Sequence, residues 1–152
     1  EYGHRVLGSL LQNYQLDRND DNVNRVRAIV DRLARAAGAD ANPWHVHVLV
    51  DDDFKNAAAT RGNFVFVWTG MLRTVRSDAE LAAILAHEVG HVLAGHTARD
   101  PETEANRMMS DVAGQITQQV LVSSAGATGG ALAGLAGMVV AELAKAMLVN
   151  PE

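Results

Sequence analysis

Apolar side chains recur at intervals of about three to four residues near the start of the chain. They do so over residues 4–16 and again over residues 22–37, which predicts two amphipathic helices. The polar run Asp17–Asn22 interrupts this period and supplies residue types that cap helix N-termini. Gly38 and the residues up to Pro43 are typical of a helix end, so the second helix is predicted to stop there.

Alternation of apolar and polar residues replaces the helical period over residues 44–50 and predicts a β-strand. Val46, Val48 and Val50 share one face of this strand. A second short strand is predicted over Phe64–Trp68, where aromatic and β-branched residues follow a turn sequence. The two segments together predict a small sheet among the helices.

Two histidines, His45 and His47, lie on the opposite face of the first predicted strand. Such a pair raises the question of a metal site, but no third ligand stands at a matching spacing. We interpret the pair as a solvated or edge-facing part of the strand.

A further helix is predicted to begin at Ser77, where the sequence Ser77–Glu80 forms a capping box. An apolar stripe at helical spacing follows, made of Leu81, Ile84, Leu85, Val89 and Val92. Gly95 provides the stop. After a break at Asp100–Glu102, residues 103–121 are also predicted to be helical.

The Ser77 helix carries a His-Glu-x-x-His pattern at His87, Glu88 and His91. Residues four apart stack on one helix face, so both imidazoles point at a common position where one zinc ion can bind. Glu88 sits beside the first histidine and is placed to accept a proton from water, as in metalloproteases. The alternative is a plain amphipathic helix whose histidines fall four apart by chance. The cap and the apolar stripe favour the zinc site. His96 falls off the ligand face, and we interpret it as outside the ligand set.

Composition narrows the class of protein. The 152 residues fit one domain with a buried core. The formal net charge of −5, without a basic run, argues against a nucleic-acid partner. The chain contains no cysteine, which excludes disulfides and a Cys-type zinc site. Residues 1–4 have neither the basic region nor the apolar core of a signal peptide.

Residues 120–141 contain no charged side chain, a length that invites a transmembrane interpretation. The glycines of this segment make it a poor span, although Gly126, Gly130 and Gly134 form a face suited to close helix contact. We predict a Gly/Ala-rich helical hairpin that packs over the active site and gates it. The alternative is a segment that docks to a membrane.

Three stretches together resemble a known family, the gluzincin metallopeptidases that include HtpX, the CAAX prenyl endopeptidase and periplasmic BepA. They are Asn56-Ala57 ahead of a glycine-containing turn, Phe64–Leu72, and Ser77–His91. With the leading helices they cover residues 1 to 97, and the chain is more similar to the soluble, BepA-like members than to the membrane-embedded ones. The resemblance implies a zincin-like α+β fold, mostly helical, with a small sheet beside the capped helix.

The resemblance also implies a function. It points to a zinc metalloendopeptidase that acts on unfolded or misassembled polypeptides of the cell envelope. A periplasmic or envelope-associated location follows, with peripheral association with the membrane or with outer-membrane proteins. The predicted edge strand is Phe64–Trp68, where a peptide substrate would add to the sheet. An ordinary core strand is the alternative for that segment.

One part of the family pattern is missing. The family takes its third zinc ligand from a Glu-x-x-Ala-Asp segment downstream of the second histidine, and no such segment is present. Glu142 and Glu152 are the candidates in that window, although neither begins the pattern. We therefore expect residues 1–152 to form a single domain that lacks its C-terminal part.

Two alternatives to a peptidase remain at this point. The first is a protein-binding or chaperone-like module whose zinc site is silent or plugged. The second is a membrane-associating lipoprotein domain that docks through residues 120–141.

Overall fold

A four-stranded mixed sheet lies between two layers of helices in the computed structural model, which describes residues 1–95 and 100–110. The elements follow one another along the chain as α1 (Tyr2–Leu10), β1 (Gln15–Leu16), α2 (Asp20–Ala36), β2 (His45–Val50), β3 (Ala57–Thr60), β4 (Phe64–Trp68), α3 (Thr69–Thr74), α4 (Asp78–Leu93) and α5 (Pro101–Met108). The α+β class is therefore confirmed. The predictions for residues 120–141, His96, Glu142 and Glu152 fall outside the described residues.

The strand order is β1-β2-β4-β3. Strands β2 and β4 are parallel, with His45 opposite Phe64, whereas β1 and β3 run antiparallel to their neighbours. Strand β4 therefore has a partner on both sides. The prediction that Phe64–Trp68 is a strand is confirmed, but the prediction that it is the edge strand is wrong. The edge on that side is β3, a segment that we did not predict to be a strand.

Each face of the sheet has its own apolar core. Helices α2, α3 and α4 pack on the valine face, where the buried strand residues are Val46, Val48, Ala57, Ala59, Val65 and Val67. Helices α1 and α5 pack on the aromatic face, where they are Leu49, Ala58, Phe64, Phe66 and Trp68. The alternation expected for 44–50 is confirmed at Val46 and Val48, whereas Val50 at the strand end is exposed.

The first helix is shorter than predicted. It ends at Leu10, and Gln15 and Leu16 form β1 opposite Val50 and Leu49. A two-residue strand has no period of its own, so its pairing partner decides its conformation. The second helix starts at Asp20, and the Asn19 side chain caps it by accepting the Asp21 N–H, within the polar run expected to supply that cap.

The Ser77 helix forms as predicted. The Ser77 hydroxyl oxygen accepts the Glu80 N–H, and Gly95, with φ of 79°, follows the helix end. The second hydrogen bond of the predicted capping box has a different donor: the Glu80 carboxylate accepts the N–H of Arg76 and not that of Ser77. The next helix, α5, starts after the Asp100 cap and ends at Met108, so residues 109 and 110 do not continue it as expected.

Among residues 1–95 and 100–110, the helices are too short or too polar to cross a lipid bilayer.

Gly70 allows the first turn of α3 to approach the loop that precedes β3. A Cβ at this position would lie 2.7 Å from the carbonyl carbon of Phe54 and 2.8 Å from the carbonyl oxygen of Asp52. Both atoms belong to the main chain and cannot rotate away. We expect Gly70→Ala to lower the free energy of unfolding by about 1–3 kcal/mol, measured by urea denaturation. The control is Gly8→Ala in α1, whose Cβ would meet nothing within 4 Å. A neutral Gly70→Ala would contradict this packing.

Candidate metal centre

Helix α4 brings the predicted site residues together. Its apolar side packs on the valine face of the sheet, with Leu81, Ile84, Leu85 and Val89 all buried. The side next to this core carries His87 and His91, which are both partly exposed, and Glu88, which is only 4 % exposed. The same helix thus offers two accessible imidazoles beside a buried carboxyl group.

The two imidazoles converge. The Nε2 atoms of His87 and His91 are 3.0 Å apart, and the ring planes are nearly perpendicular at 87°. Burial, followed by the nearby His91, lowers the pKa of His87 to about 4, so its ring is neutral near pH 7. The Nδ1 atom of His87 is buried and has no hydrogen-bond partner among the described residues. The two imidazole nitrogens converge, and a neutral imidazole such as that of His87 is a donor that a transition-metal ion such as zinc accepts.

Glu88 is held against the edge strand. Its carboxylate accepts the backbone N–H of Ala59 in β3. Burial raises the pKa of Glu88 to about 7, and Glu104 adds to the rise, while Arg107 and the Ala59 bond oppose it. A carboxyl group with a pKa near neutrality can both accept and release a proton.

Sequence reasoning missed the contribution of α5. Glu104 in this helix is fully buried, and its Oε1 accepts hydrogen bonds from Nε of Arg107 at 2.9 Å and from Nη2 of Arg107. Both charges act on Glu88. Their i, i+3 spacing was visible in the chain, but an ion pair at that spacing is common on helix surfaces. Its burial beside the site depends on how α5 packs.

Within the part of the chain that the structure describes, no three histidine, aspartate or glutamate side chains form a metal-binding group. The predicted third-ligand candidates, Glu142 and Glu152, lie outside that part. The structure thus brings two of the expected ligands together.

The other histidine pair has a different environment. His47 stacks on the rings of Phe64 and Phe66, and His45 packs on Phe64. Both side chains are half-buried, and β1 pairs only with Leu49 and Val50, so among the described residues β4 is the one strand that pairs with β2 at His45 and His47. The expectation of an edge-facing pair agrees with this pairing, although the two rings are not fully solvated. Helix α1 contributes to the burial of the two histidines, because it places His4 against the same Phe64 ring and covers this end of the strand.

Comparison with known proteins identifies relatives of the chain. The family described as Peptidase family M48 matches residues 20–151. A beta-barrel assembly-enhancing protease of Yersinia pestis is 34 % identical over 79 residues, which are 52 % of this chain and 16 % of that protein. The mitochondrial metalloendopeptidase OMA1 of Schizosaccharomyces pombe is 33 % identical over 98 residues, which are 64 % of this chain and 26 % of that protein. OMA1 of Danio rerio is 41 % identical over 70 residues, 46 % of this chain and 14 % of that protein.

These matches confirm the resemblance to the BepA-containing peptidases. The chain spans about a quarter or less of the length of the curated relatives it matches.

The environment of His47 makes stability depend on pH. Burial lowers the pKa of His47, and His45, His4 and Arg27 lower it further. The unfolded chain therefore binds more protons than the folded one below about pH 6.5, and stability falls as the pH drops through that range. We expect His47→Gln, which cannot titrate, to lose less stability between pH 7.5 and 5 than the unaltered chain. Thermal unfolding at both pH values measures this. An equal loss of stability in His47→Gln and in the unaltered chain would contradict the role of His47 in this pH dependence.

Proposed function

Because this chain belongs to peptidase family M48, we propose that it is a zinc-dependent metalloendopeptidase domain in which His87 and His91 bind the metal and Glu88 is the general base. The observation that carries this proposal is the convergence of the two Nε2 atoms to 3.0 Å beside a buried carboxylate on the same helix. The donor chemistry fits zinc, since both ligands are imidazoles and the lowered pKa keeps His87 neutral near pH 7.

The metal and the protein have separate tasks in this proposal. A bound zinc ion would polarise the scissile carbonyl group and make water more acidic. Glu88 accepts the proton of the attacking water at its carboxylate and later donates it to the nitrogen of the leaving amine. The Ala59 N–H keeps the carboxylate in place during both transfers. A third ligand would come from outside the described residues, where Glu142 and Glu152 are the candidates.

The substrate would be an extended polypeptide that lies along β3. The backbone N–H of Trp68 donates to the Asn56 carbonyl oxygen, so residues 56, 58 and 60 direct their backbone groups toward β4. Ala57 and Ala59 therefore direct their N–H and C=O groups outward, at the edge. An unfolded or loosely folded segment can add to such an edge through its main chain.

The biological substrates that we propose are unfolded or misassembled polypeptides of the cell envelope, and we propose a periplasmic or envelope-associated location. The support is a set of relatives named beta-barrel assembly-enhancing protease. Association with the membrane or with outer-membrane proteins has the same support.

A protein-binding or chaperone-like module is the second candidate. The observation that favours it is that the described residues supply two metal ligands and not three. Zinc content and hydrolysis, measured together, separate the two functions.

The first test replaces the proposed base. We expect Glu88→Gln to lower kcat for casein hydrolysis about 10²–10⁴-fold, the usual contribution of general acid–base catalysis. Zinc content should not change, because Glu88 is not a ligand. Glu102→Gln on the exposed side of α5 is the matched control and should keep full activity. Full activity in Glu88→Gln would exclude it as the base.

The second test removes the proposed ligands one at a time. We expect His87→Ala and His91→Ala each to weaken zinc binding more than about 100-fold, because losing even an outer partner of a ligand costs roughly 10–100-fold. Metal analysis after dialysis measures this, with His47→Gln as the control. Zinc retained in both alanine variants would place the metal elsewhere in the protein.

A further inference from the structure

Helices α4 and α5 pack on opposite faces of the sheet, and both of them contact the edge strand β3. Arg107 and Glu104 of α5 both act on Glu88 of α4. Charged groups on opposite faces of the sheet can approach each other around the edge of β3, which is the last strand on that side in the described part of the chain. The ion pair therefore lies at the rim of the proposed active site, next to the strand that would receive a substrate.

Two buried contacts hold Arg107 at this rim. The fully buried Glu104 carboxylate accepts two of the five guanidinium N–H groups. One residue further along α5, the carbonyl oxygen of Met108 accepts the Nδ2–H of the buried Asn56 at 2.5 Å. Asn56 directly precedes β3, so α5 is tied to the start of the edge strand. Arg107 is nevertheless 37 % exposed, and among residues 1–95 and 100–110 only two of its five N–H groups have an acceptor, which is Glu104.

The edge strand itself has few free donors. Its outward N–H groups belong to Ala57 and Ala59. The Ala57 N–H donates to Oδ1 of Asn56 at 2.9 Å, and the Ala59 N–H donates to Glu88. A peptide that pairs with β3 can donate its own N–H groups to the outward carbonyl oxygens. Its carbonyl oxygens, however, need donors that the strand does not have to spare.

We propose that Arg107 supplies those donors, and that its guanidinium group binds main-chain carbonyl oxygens of the polypeptide lying along β3. This inference rests on the proposed function, because it concerns the substrate of that same site. It makes Arg107 a substrate-binding residue that recognises the peptide backbone, which is the same in every sequence. An enzyme that acts on unfolded chains of varied sequence requires recognition of this kind.

The test measures binding apart from hydrolysis. The background is the full chain with Glu88→Gln, loaded with zinc, and the probe is fluorescein-labelled casein, followed by fluorescence anisotropy. The key variant is E104Q/R107Q, which removes the guanidinium group without leaving an unpaired buried carboxylate. We expect Kd to rise about tenfold, the effect of losing one charge-assisted hydrogen bond. R107K keeps the positive charge but loses the fork of donors, so its Kd should lie between that of the Glu88→Gln background and that of E104Q/R107Q.

Arg73→Ala is the matched control, since this arginine is 72 % exposed and pairs with Asp52 at 3.6 Å, on a different element. It should leave Kd unchanged. Thermal unfolding verifies that each variant is folded, and in the Glu88-containing chain the E104Q/R107Q change should raise KM more than it lowers kcat.

Unchanged casein binding in folded E104Q/R107Q would overturn the role of Arg107 and leave the proposed peptidase function standing. The role of Arg107 would also be overturned if Arg73→Ala weakened casein binding as much as E104Q/R107Q does, because the effect would then be one of general charge. Absence of casein hydrolysis by the unaltered, zinc-loaded chain would overturn the proposed function and this inference with it.

Discussion

The hydrogen bond from the Ala59 backbone N–H to the Glu88 carboxylate joins helix α4 to the edge strand β3. A carboxylate removed from water is costly unless donors replace its hydration. This N–H and the nearby charge of Arg107 provide that replacement, while burial still raises the pKa of Glu88 to about 7. The contact also fixes the distance between the proposed base and the strand that a substrate would join. In the proposed mechanism, proton transfer and substrate position would therefore depend on the same interaction.

Strand β3 has no partner strand on its outer side among the described residues, and such an edge would otherwise be open to any extended chain, including another copy of this protein. Here the chain's own side chains engage both outward N–H groups, through Asn56 at Ala57 and Glu88 at Ala59. Helix α5 is fastened beside them by the bond from Asn56 to the Met108 carbonyl oxygen. An edge arranged in this way limits unspecific pairing and still presents carbonyl oxygens to a substrate. Binding of the substrate's carbonyl oxygens would then depend on donors that lie beside the strand, such as Arg107.

Charge balance links α5 to the candidate metal centre. Glu88 and Glu104 carry negative charge when ionised, and Arg107, which pairs with Glu104, carries one positive charge. A divalent cation held by His87 and His91 would add positive charge close to Glu88 and favour its ionised form. The family membership of the chain and the geometry of α4 thus fit together, because the imidazole nitrogens converge on the same helix that carries the buried Glu88.

The sequence was enough to predict helices α2 and α4 and strand β4, because caps and periodic side chains act between near neighbours in the chain. It was also enough to place His87, Glu88 and His91 together on one helix. The strand at Ala57–Thr60 could not, since its alanines have little β-propensity and it forms only by pairing with β4. For the same reason Phe64–Trp68 was recognised as a strand but misplaced at the edge. The partners of Glu88 were equally hidden: Ala59 and Arg107 are distant from it in sequence, and only the packing of α4 and α5 around the end of the sheet brings these three groups together.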